Sequence, residues 1–526
     1  MTMRTLTCDV LVIGYGAAGA AAAIEAADAG ARVLLVEKMP WPGGLSVVSA
    51  GGARMAFDAD AALSYLRHTC ADRTPDDVLR VLAQGMHDFP AWLRALADDI
   101  GADFVVREAA GNYPFPGFDA LGYAEVQALP AGLTFRDRIP EHVRANSAPG
   151  TRFFGLLQAH VERRAITVRT ATRATRLLRD GDGPVQGAEL EDGHGPLSVR
   201  ATQGVILACG GFEADLRMQR AWFEPAVVLN GSFLGNTGDG IRMAQALGAD
   251  LWHMWHFHGP YGFRHPDPAF PFGLYPKSFP MWTPGHPADD LPVMPWILVD
   301  QLGRRFANEY EPYPGDTGVR HFSHVDGNHG RNTRLPAWML LDADGFSMYK
   351  LGRFIAHVTP DAPAAAHEFA WSKDNQQELA LGIFRRADSL HELAVQTDIP
   401  EHVLAATLHA WNDACVARRD DAFGRPASTM QPIARGPFYL AQVWPLVINT
   451  QGGPVHDVHQ RVLDVAGQPI DGLYAAGELG SAFGHLYMAG GNLAECIVGG
   501  RVAARHAMSR RAHVIPRHPS PDPITV

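Results

Sequence analysis

Lysine is scarce in this chain of 526 residues: Lys38, Lys277, Lys350 and Lys373 are four of 45 basic side chains, the other 41 being arginine. That bias reads as genome composition rather than function. Net charge is −11 at pH 7, which argues against a general nucleic-acid binder or an anionic-membrane surface protein. Cysteine is thin as well. Cys8, Cys70, Cys209, Cys415 and Cys496 are scattered without CxxC, CxxCH or ferredoxin-like spacing, so no disulfide framework, c-type haem or iron–sulfur cluster is expected. No apolar run reaches the roughly 18 residues of a spanning helix, so no integral membrane segment is expected. The first strand pattern starts at Asp9, which leaves no signal peptide or twin-arginine leader and gives a soluble cytoplasmic protein as the reading. Charged residues make up 19%, below the roughly 25% of an average globular chain. Hydrophobic residues reach 47%, enough core to rule out wholesale disorder, and about 150 residues per domain gives roughly two to four domains.

The chain opens strand, glycine turn, helix, strand. Asp9-Val10-Leu11-Val12-Ile13 suits a buried parallel strand. Gly14-Tyr15-Gly16-Ala17-Ala18-Gly19 comes next, then an alanine-rich helix to Ala29 that Gly30 ends, then a strand over 31–36 closed by Glu37. Helical apolar spacing covers about 60–100, with Trp92, Leu93 and Leu96 on one face, and strands fill 166–207. Residues 252–296 are crowded with proline, histidine and aromatics, which forbids a regular helix and marks a long folded irregular segment. Helical spacing returns at 375–394 and 400–417, with Pro400 as a first-turn residue. A strand-turn-helix block covers 472–507, and 509–526, with Pro516, Pro519, Pro521 and Pro523, is expected to be a disordered tail.

The GxGxxG turn gains weight from its setting. It lies between a strand and a helix, and Glu37 stands 23 positions after Gly14. Gly14 allows the tight turn, Gly16 lets backbone amides approach a pyrophosphate, and Gly19 lets the helix pack on the strand. The helix start at Ala17 and Ala18 then offers free N–H groups to phosphate. Glu37 is an acceptor suited to a free ribose. This fingerprint alone does not separate NAD from FAD.

Motifs elsewhere in the chain separate the two. Gly43-Gly44-Leu45-Ser46 and Ser49-Ala50-Gly51-Gly52 form a second glycine-rich loop, and late in the chain come 471–478 (ending Ala476-Gly477-Glu478) and Ala489-Gly490-Gly491-Asn492-Leu493. With Ala208-Cys209-Gly210-Gly211-Phe212, Thr237-Gly238-Asp239-Gly240, 303–309 and 421–425, these resemble the fumarate reductase and 3-ketosteroid dehydrogenase superfamily of flavoproteins over most of the chain. The resemblance implies an α/β fold: a Rossmann-type FAD-binding domain split in sequence (1–250 and 445–508) with an inserted α+β capping domain that holds substrate (251–444). It implies FAD contacts from Glu37, Ser46, Gly51, Gly52, Asp239, Glu478 and Leu493. Lys38, Gly44, Leu45, Ala208 and Asn492, in the same motifs, complete the expected cofactor set. The family's covalent attachment histidine is missing from 45–50, so FAD is expected to be non-covalent.

Resemblance also implies the reaction type, a hydride moving between a carbon and flavin with a proton moving at the neighbouring carbon. Where fumarate reductases carry charge that grips a dicarboxylate, this chain has Tyr313, Met488, Asn449 and Pro292. A buried carboxylate without partners is costly, so a dicarboxylate is disfavoured. The ketosteroid-dehydrogenase branch fits better. Residues 308–313 resemble its segment ending in the proton-abstracting tyrosine, here Tyr313. Tyr487, four residues before Gly491, has the spacing at which a hydroxyl and a glycine N–H hold the ketone oxygen, although Tyr487-Met488-Ala489-Gly490-Gly491 departs from that branch's usual proline-containing run. Tyr113 resembles its third tyrosine. Tyrosine ionises near pH 10 unperturbed, so a base role expects neighbours that lower that value. His253, His256 and His258 are not read as a metal site, since no acidic or cysteine cluster accompanies them; His258, His485 and Asn449 are candidates to face substrate. The expected activity is introduction of a C=C bond alpha,beta to a ketone of an apolar cyclic substrate, with an external electron acceptor. The alternatives are reduction of an enone or enoic acid, and a flavin-binding protein without chemistry.

Overall fold

Strand β1 (Arg4–Ile13) changes character along its length, half-exposed and alternating to Thr7 and then buried from Val10 to Ile13. That second half is flanked by parallel partners on both sides: β2 (Val33–Val36), with Val12 opposite Leu35, and the strand Gly195–Leu207, with Val12 opposite Ile206. Pro469–Ala475 and Thr167–Arg169 extend the parallel sheet at its two sides. Helix α1 (Ala17–Asp28) packs against it, every alanine but Ala27 buried. Small residues are needed there: α1 packs closely on the C-terminal helix Gly491–Ser509, and a Cβ on Gly500 would meet the Ala18 carbonyl at 2.4 Å. The computed structural model describes residues 4–133, 149–224, 228–281, 284, 290–310, 313, 315–356, 358 and 362–510.

A second sheet is built around the long strand Phe438–Val447, which pairs antiparallel with Ala337–Asp342, Tyr261–Arg264 and Arg385–Ala387. Leu229–Asn230 joins that strand in parallel, so the second sheet recruits chain from before residue 251. The proline- and aromatic-rich stretch forms short strand pairs, including Phe257–His258 against Asn449–Thr450. It contains no α-helix among its described residues.

Four expectations need correction. The 60–100 region is two helices, Ala59–Cys70 and Asp76–Ile100, because Ala71 and Asp72 turn left-handed at φ 48° and 57°. The 375–394 region is helix Gln376–Leu381, strand Arg385–Ala387 and helix Leu390–Thr397. Gly382 at φ 83° stops the first helix and the sheet edge captures 385–387, a tertiary pairing that overrides helical spacing. Pro400 stands one position before the first turn of Glu401–Ala417. The C-terminal helix runs to Ser509, and Arg510 donates to the Gln203 carbonyl at 2.6 Å and pairs with Asp471, so the expected tail cannot begin at 509. Residues 511–526 lie outside the described residues.

Candidate active site

The turn after β1 does what its glycines allow. Gly14 adopts φ 105° and presses on the Ala208 backbone, where a Cβ would stand 2.3 Å from the carbonyl oxygen. A Cβ on Gly19 would stand 1.8 Å from the Gly14 oxygen, so this glycine sets the approach of α1 to the strand. A Cβ on Gly16, by contrast, would have only ordinary van der Waals neighbours, Ser46 Oγ at 3.5 Å and the Gly43 oxygen at 3.8 Å. The result is a solvent-open cleft of about 750 Å³ at the C-terminal end of the parallel strands, the usual place for a ligand in such sheets. Gly14, Gly16, Ala17, Ala18, Glu37, Lys38, Gly44, Leu45, Ser46, Ala208, Asp239 and Glu478 all line it.

The chemistry of this lining fits FAD. The first turn of α1 has no acidic side chain to neutralise its positive end. Ser46 Oγ accepts the Ala17 N–H at 3.0 Å and so fixes the glycine loop against the helix start. Glu37 is buried, which pushes its carboxyl up, while its oxygens accept the Tyr15 and Met39 N–H groups at 2.9 Å each. Each oxygen keeps a further acceptor site for a ribose hydroxyl. Asp239 is held by Lys38 at 3.0 Å and Arg173 at 2.8 Å. Burial opposes its ionisation, but those two cations keep its carboxyl below the usual range. Glu478 and Glu213 lie side by side without a cation. Burial raises both, Glu478 to about 7, and Asn236 bridges them, at 2.6 Å to Glu213 and 3.4 Å to Glu478.

The remaining cofactor candidates lie off the cleft wall. Gly19 is a packing glycine, and Gly51, at φ 72°, abuts Pro149. Gly52 faces the Tyr123 ring, Leu493 is buried, and Asn492 is bonded to Glu495 and Gln451.

Beyond Glu478, the adjacent residues Thr450 and Gln451 link it to the start of the C-terminal helix. Thr450 N–H donates to Glu478 at 2.9 Å, Gln451 and Asn492 exchange amide bonds, and Asn492 N–H donates to the Tyr487 oxygen at 3.3 Å. Around Tyr487 the fold gathers Tyr113, Tyr313 and His258 from segments far apart in sequence. The His258 ring lies 4.2 Å from that of Tyr487 and 5.5 Å from that of Tyr313, and Tyr313 in turn meets Tyr113 edge-on at 6.1 Å. Asn449, another candidate, is the direct strand partner of His258. His485 stands farther out beside Trp255, its carbonyl accepting from Arg320. Of the other histidines, His253 bonds the Ser481 and Arg73 carbonyls and His256 that of Phe483.

Three expectations change here. The Gly491 N–H donates to the Met488 carbonyl at 2.8 Å, closing the turn before the helix, and is not free for a ketone oxygen in this conformation. The Tyr113 hydroxyl donates to Asp316 at 3.0 Å and is likewise engaged. The tyrosines are not lowered: burial pushes Tyr113, Tyr313 and Tyr487 all well above the ordinary phenol range.

Two residues that sequence reasoning passed over organise the site. Asp316, 0% exposed, accepts from Tyr113 and from the Tyr487 N–H at 3.3 Å, with His256, His258 and Arg320 facing its other oxygen at 3.6–3.8 Å. Burial alone would raise its carboxyl, yet these partners hold it well below the usual range. Its position three residues after Tyr313 was the available signal. Arg54, also 0% exposed, is a lone charge in the fully buried β3 (Gly52–Ala56). It donates to the carbonyls of Ala489, Ala109 and Ala110, to Asn112 and to Tyr123, and so braces the loops carrying Tyr113 and Tyr487.

Residues 9–493 match the family profile described as FAD binding domain. The chain is 28% identical to a 3-oxosteroid 1-dehydrogenase of Mycobacterium tuberculosis, across 95% of this chain and 98% of that protein. It is 27% identical to a 4-oxocyclohexanecarboxylate 2-dehydrogenase of Sinomonas cyclohexanicum, across 90% of this chain and 87% of that one. Among solved structures, the 3-ketosteroid delta1-dehydrogenase of Sterolibacterium denitrificans superposes with a TM-score of 0.75 at 23% identity, covering 96% of this chain and 99% of its own.

Proposed function

The chain belongs to the FAD binding domain family, and from that premise we propose that it introduces a C=C bond alpha,beta to the ketone of an apolar cyclic substrate. FAD, held by the α1 turn, Glu37, Ser46 and Glu478, supplies when bound the acceptor for the hydride lost from the beta carbon. Tyr313 takes the proton from the alpha carbon. The Tyr487 oxygen already accepts from Asn492 N–H, so its own proton is left to donate to the ketone oxygen, where charge develops as the alpha proton leaves. Tyr113 and Asp316 hold the loop of Tyr313 against that of Tyr487.

The observation that carries this reading is the meeting of Tyr313 and Tyr487 around His258. An uncharged substrate head is supported by the surroundings. Met488 and Asn449 are buried and neutral, Arg54 is committed to carbonyls, and Arg320 has its charge paired with Asp316 at 3.6 Å. The relatives named as dehydrogenases of ring ketones support the same substrate class. We propose further that the parallel sheet marks the split FAD-binding unit, that the second sheet marks the inserted substrate unit, and that electrons leave to an external acceptor.

The test is anaerobic. Purified protein carrying FAD is mixed with 3-ketosteroids, cyclohexanones and their acids. Flavin bleaching by a ring ketone is expected. No bleaching by any of them, with rapid reoxidation of pre-reduced protein by fumarate, overturns the reading.

A further inference from the structure

Tyr313 Oη lies 3.4 Å from His258 Nε2, and the opposite ring nitrogen, Nδ1, faces Asp316 Oδ1 at 3.8 Å. The His258 Nδ1, Asp316 Oδ1 and His256 Nε2 atoms are all buried without a hydrogen-bond partner and converge on one point. Leaving a buried polar atom unpaired is costly, so three of them gathered behind a tyrosine, with Arg320 3.6 Å from the same Oδ1, point to more than packing. The other oxygen of Asp316 is saturated by Tyr113 and the Tyr487 N–H, which fixes the carboxylate so that Oδ1 points at the histidines. The order is hydroxyl, imidazole, carboxylate, the same logic by which a base and its orienting acid activate a hydroxyl elsewhere.

We propose that Asp316, His258 and Tyr313 form a proton relay in which His258 Nε2 takes the phenolic proton as Tyr313 takes the alpha proton of the ketone. This rests on the reading of Tyr313 as the proton-abstracting group. The alpha C–H bond breaks and a new Oη–H bond forms, the old Oη–H breaks and Nε2–H forms, and the C–H electron pair stays on the enolate. Tyrosine ends neutral and His258 ends as imidazolium beside the Asp316 carboxylate, to return its proton to solvent later in the cycle. The relay answers a difficulty the site otherwise has, since burial holds the phenol protonated at neutral pH. His258 is suited to accept: burial lowers it, against the opposing pull of Asp316. The charged or titratable groups facing it are Asp316, Arg320, Tyr313 and Tyr487, with His256 behind Asp316. Of the three relay residues only Tyr313 touches substrate; His258 and Asp316 act through it as positioning residues.

Exchange of alpha deuterium from deuterated cyclohexanone and from 4-oxocyclohexanecarboxylate, followed by mass spectrometry across pH, reads proton abstraction apart from flavin reduction. The unmutated holoenzyme should exchange with an acid limb below the ordinary histidine range. His258→Gln should slow exchange by a factor of about 10² to 10⁴ and lose that limb. Asp316→Asn should slow it and move the limb to lower pH, because the carboxylate that favours imidazolium is gone. Unmutated protein that neither exchanges nor bleaches overturns the proposed function and the relay with it. Variants that keep FAD and exchange with an unmoved acid limb overturn the relay alone. Should either variant lose FAD and fold, ¹⁵N-histidine spectra of the unmutated protein and of Tyr313→Phe decide. One imidazole, protonated on Nδ1, should shift at Nε2 when the hydroxyl is removed. A proton on Nε2, or no shifted imidazole, overturns the relay.

Discussion

Burial raises the phenols of Tyr113, Tyr313 and Tyr487, whereas the groups facing Asp316 hold its carboxyl low against burial. Tyr313 and Tyr487 share one environment, stacked about His258, yet their hydroxyls differ in what already engages them. Tyr313→Phe and Tyr487→Phe should each cut single-turnover flavin reduction by a factor of about 10² to 10⁴, with FAD occupancy unchanged; flavin reduction at the unmutated rate in both would make them packing residues. Because both act on one transition state, the double variant should fall short of the product of the two losses. Glu478 carries a second residue-scale expectation. Its carboxyl is raised from the ordinary 4.5 to about 7 by burial, so the folded apoprotein holds a proton that the unfolded chain has released. Stability should then fall as pH rises across that window and level off above it. Glu478→Gln should flatten this slope in thermal unfolding of the apoprotein, and an unchanged slope would count against the buried acid pair.

Elements hold these residues through a few close approaches. In α1 the Gly19 position leaves no room, a Cβ standing 1.8 Å from the Gly14 oxygen. Gly19→Ala should therefore push the helix off the strand and destabilise by about 1–3 kcal/mol. It should also weaken FAD binding, because Ala17 and Ala18 move with the helix; a lower melting temperature with full FAD occupancy would separate packing from binding. Strand β3 works through its one charge. Arg54→Leu would leave the Ala489, Ala109 and Ala110 carbonyls without their donor, at about 1–3 kcal/mol for each group left unsatisfied. The expected readout is a lowered melting temperature, together with turnover lost faster than FAD occupancy as the Tyr113 and Tyr487 loops loosen.

Across the molecule, two large sheets dominate the described residues. One carries the cleft; the other supplies Tyr261–Arg264 and Phe438–Val447, whose ends lead directly into His258 and Asn449. Acid denaturation should release FAD into the supernatant, since residues 45–50 hold no histidine; flavin left on the precipitated chain would refute a non-covalent cofactor. Fumarate and succinate should not be turned over with a viologen donor or acceptor, because Tyr313, Met488 and Asn449 offer no cation to a second carboxylate. No helix among the described residues is long and apolar enough to cross a membrane.

The glycine turn, its flanking strands and Glu37 were legible from sequence alone because their physics is local. A residue at φ 105° must be glycine, a run of apolar residues between turns must be buried, and an acid just after the second strand falls at the cleft. Resemblance extended that reading to FAD and to the three tyrosines. Local spacing failed where distant chain competed for the same atoms. Residues 385–387 became a strand because a sheet edge was open beside them. The Gly491 N–H turned to Met488 because the helix start closed there. Asp316 and Arg54 carry no motif, and their importance exists only once Tyr113, His258, Tyr313 and Tyr487 are folded around them. The order of residues is enough to settle the backbone turns and the cofactor they suit. Folding alone settles which hydroxyl is free, which carboxylate is aimed at which imidazole and how far burial shifts each of them, because hydrogen-bond choice and desolvation depend on neighbours hundreds of residues away.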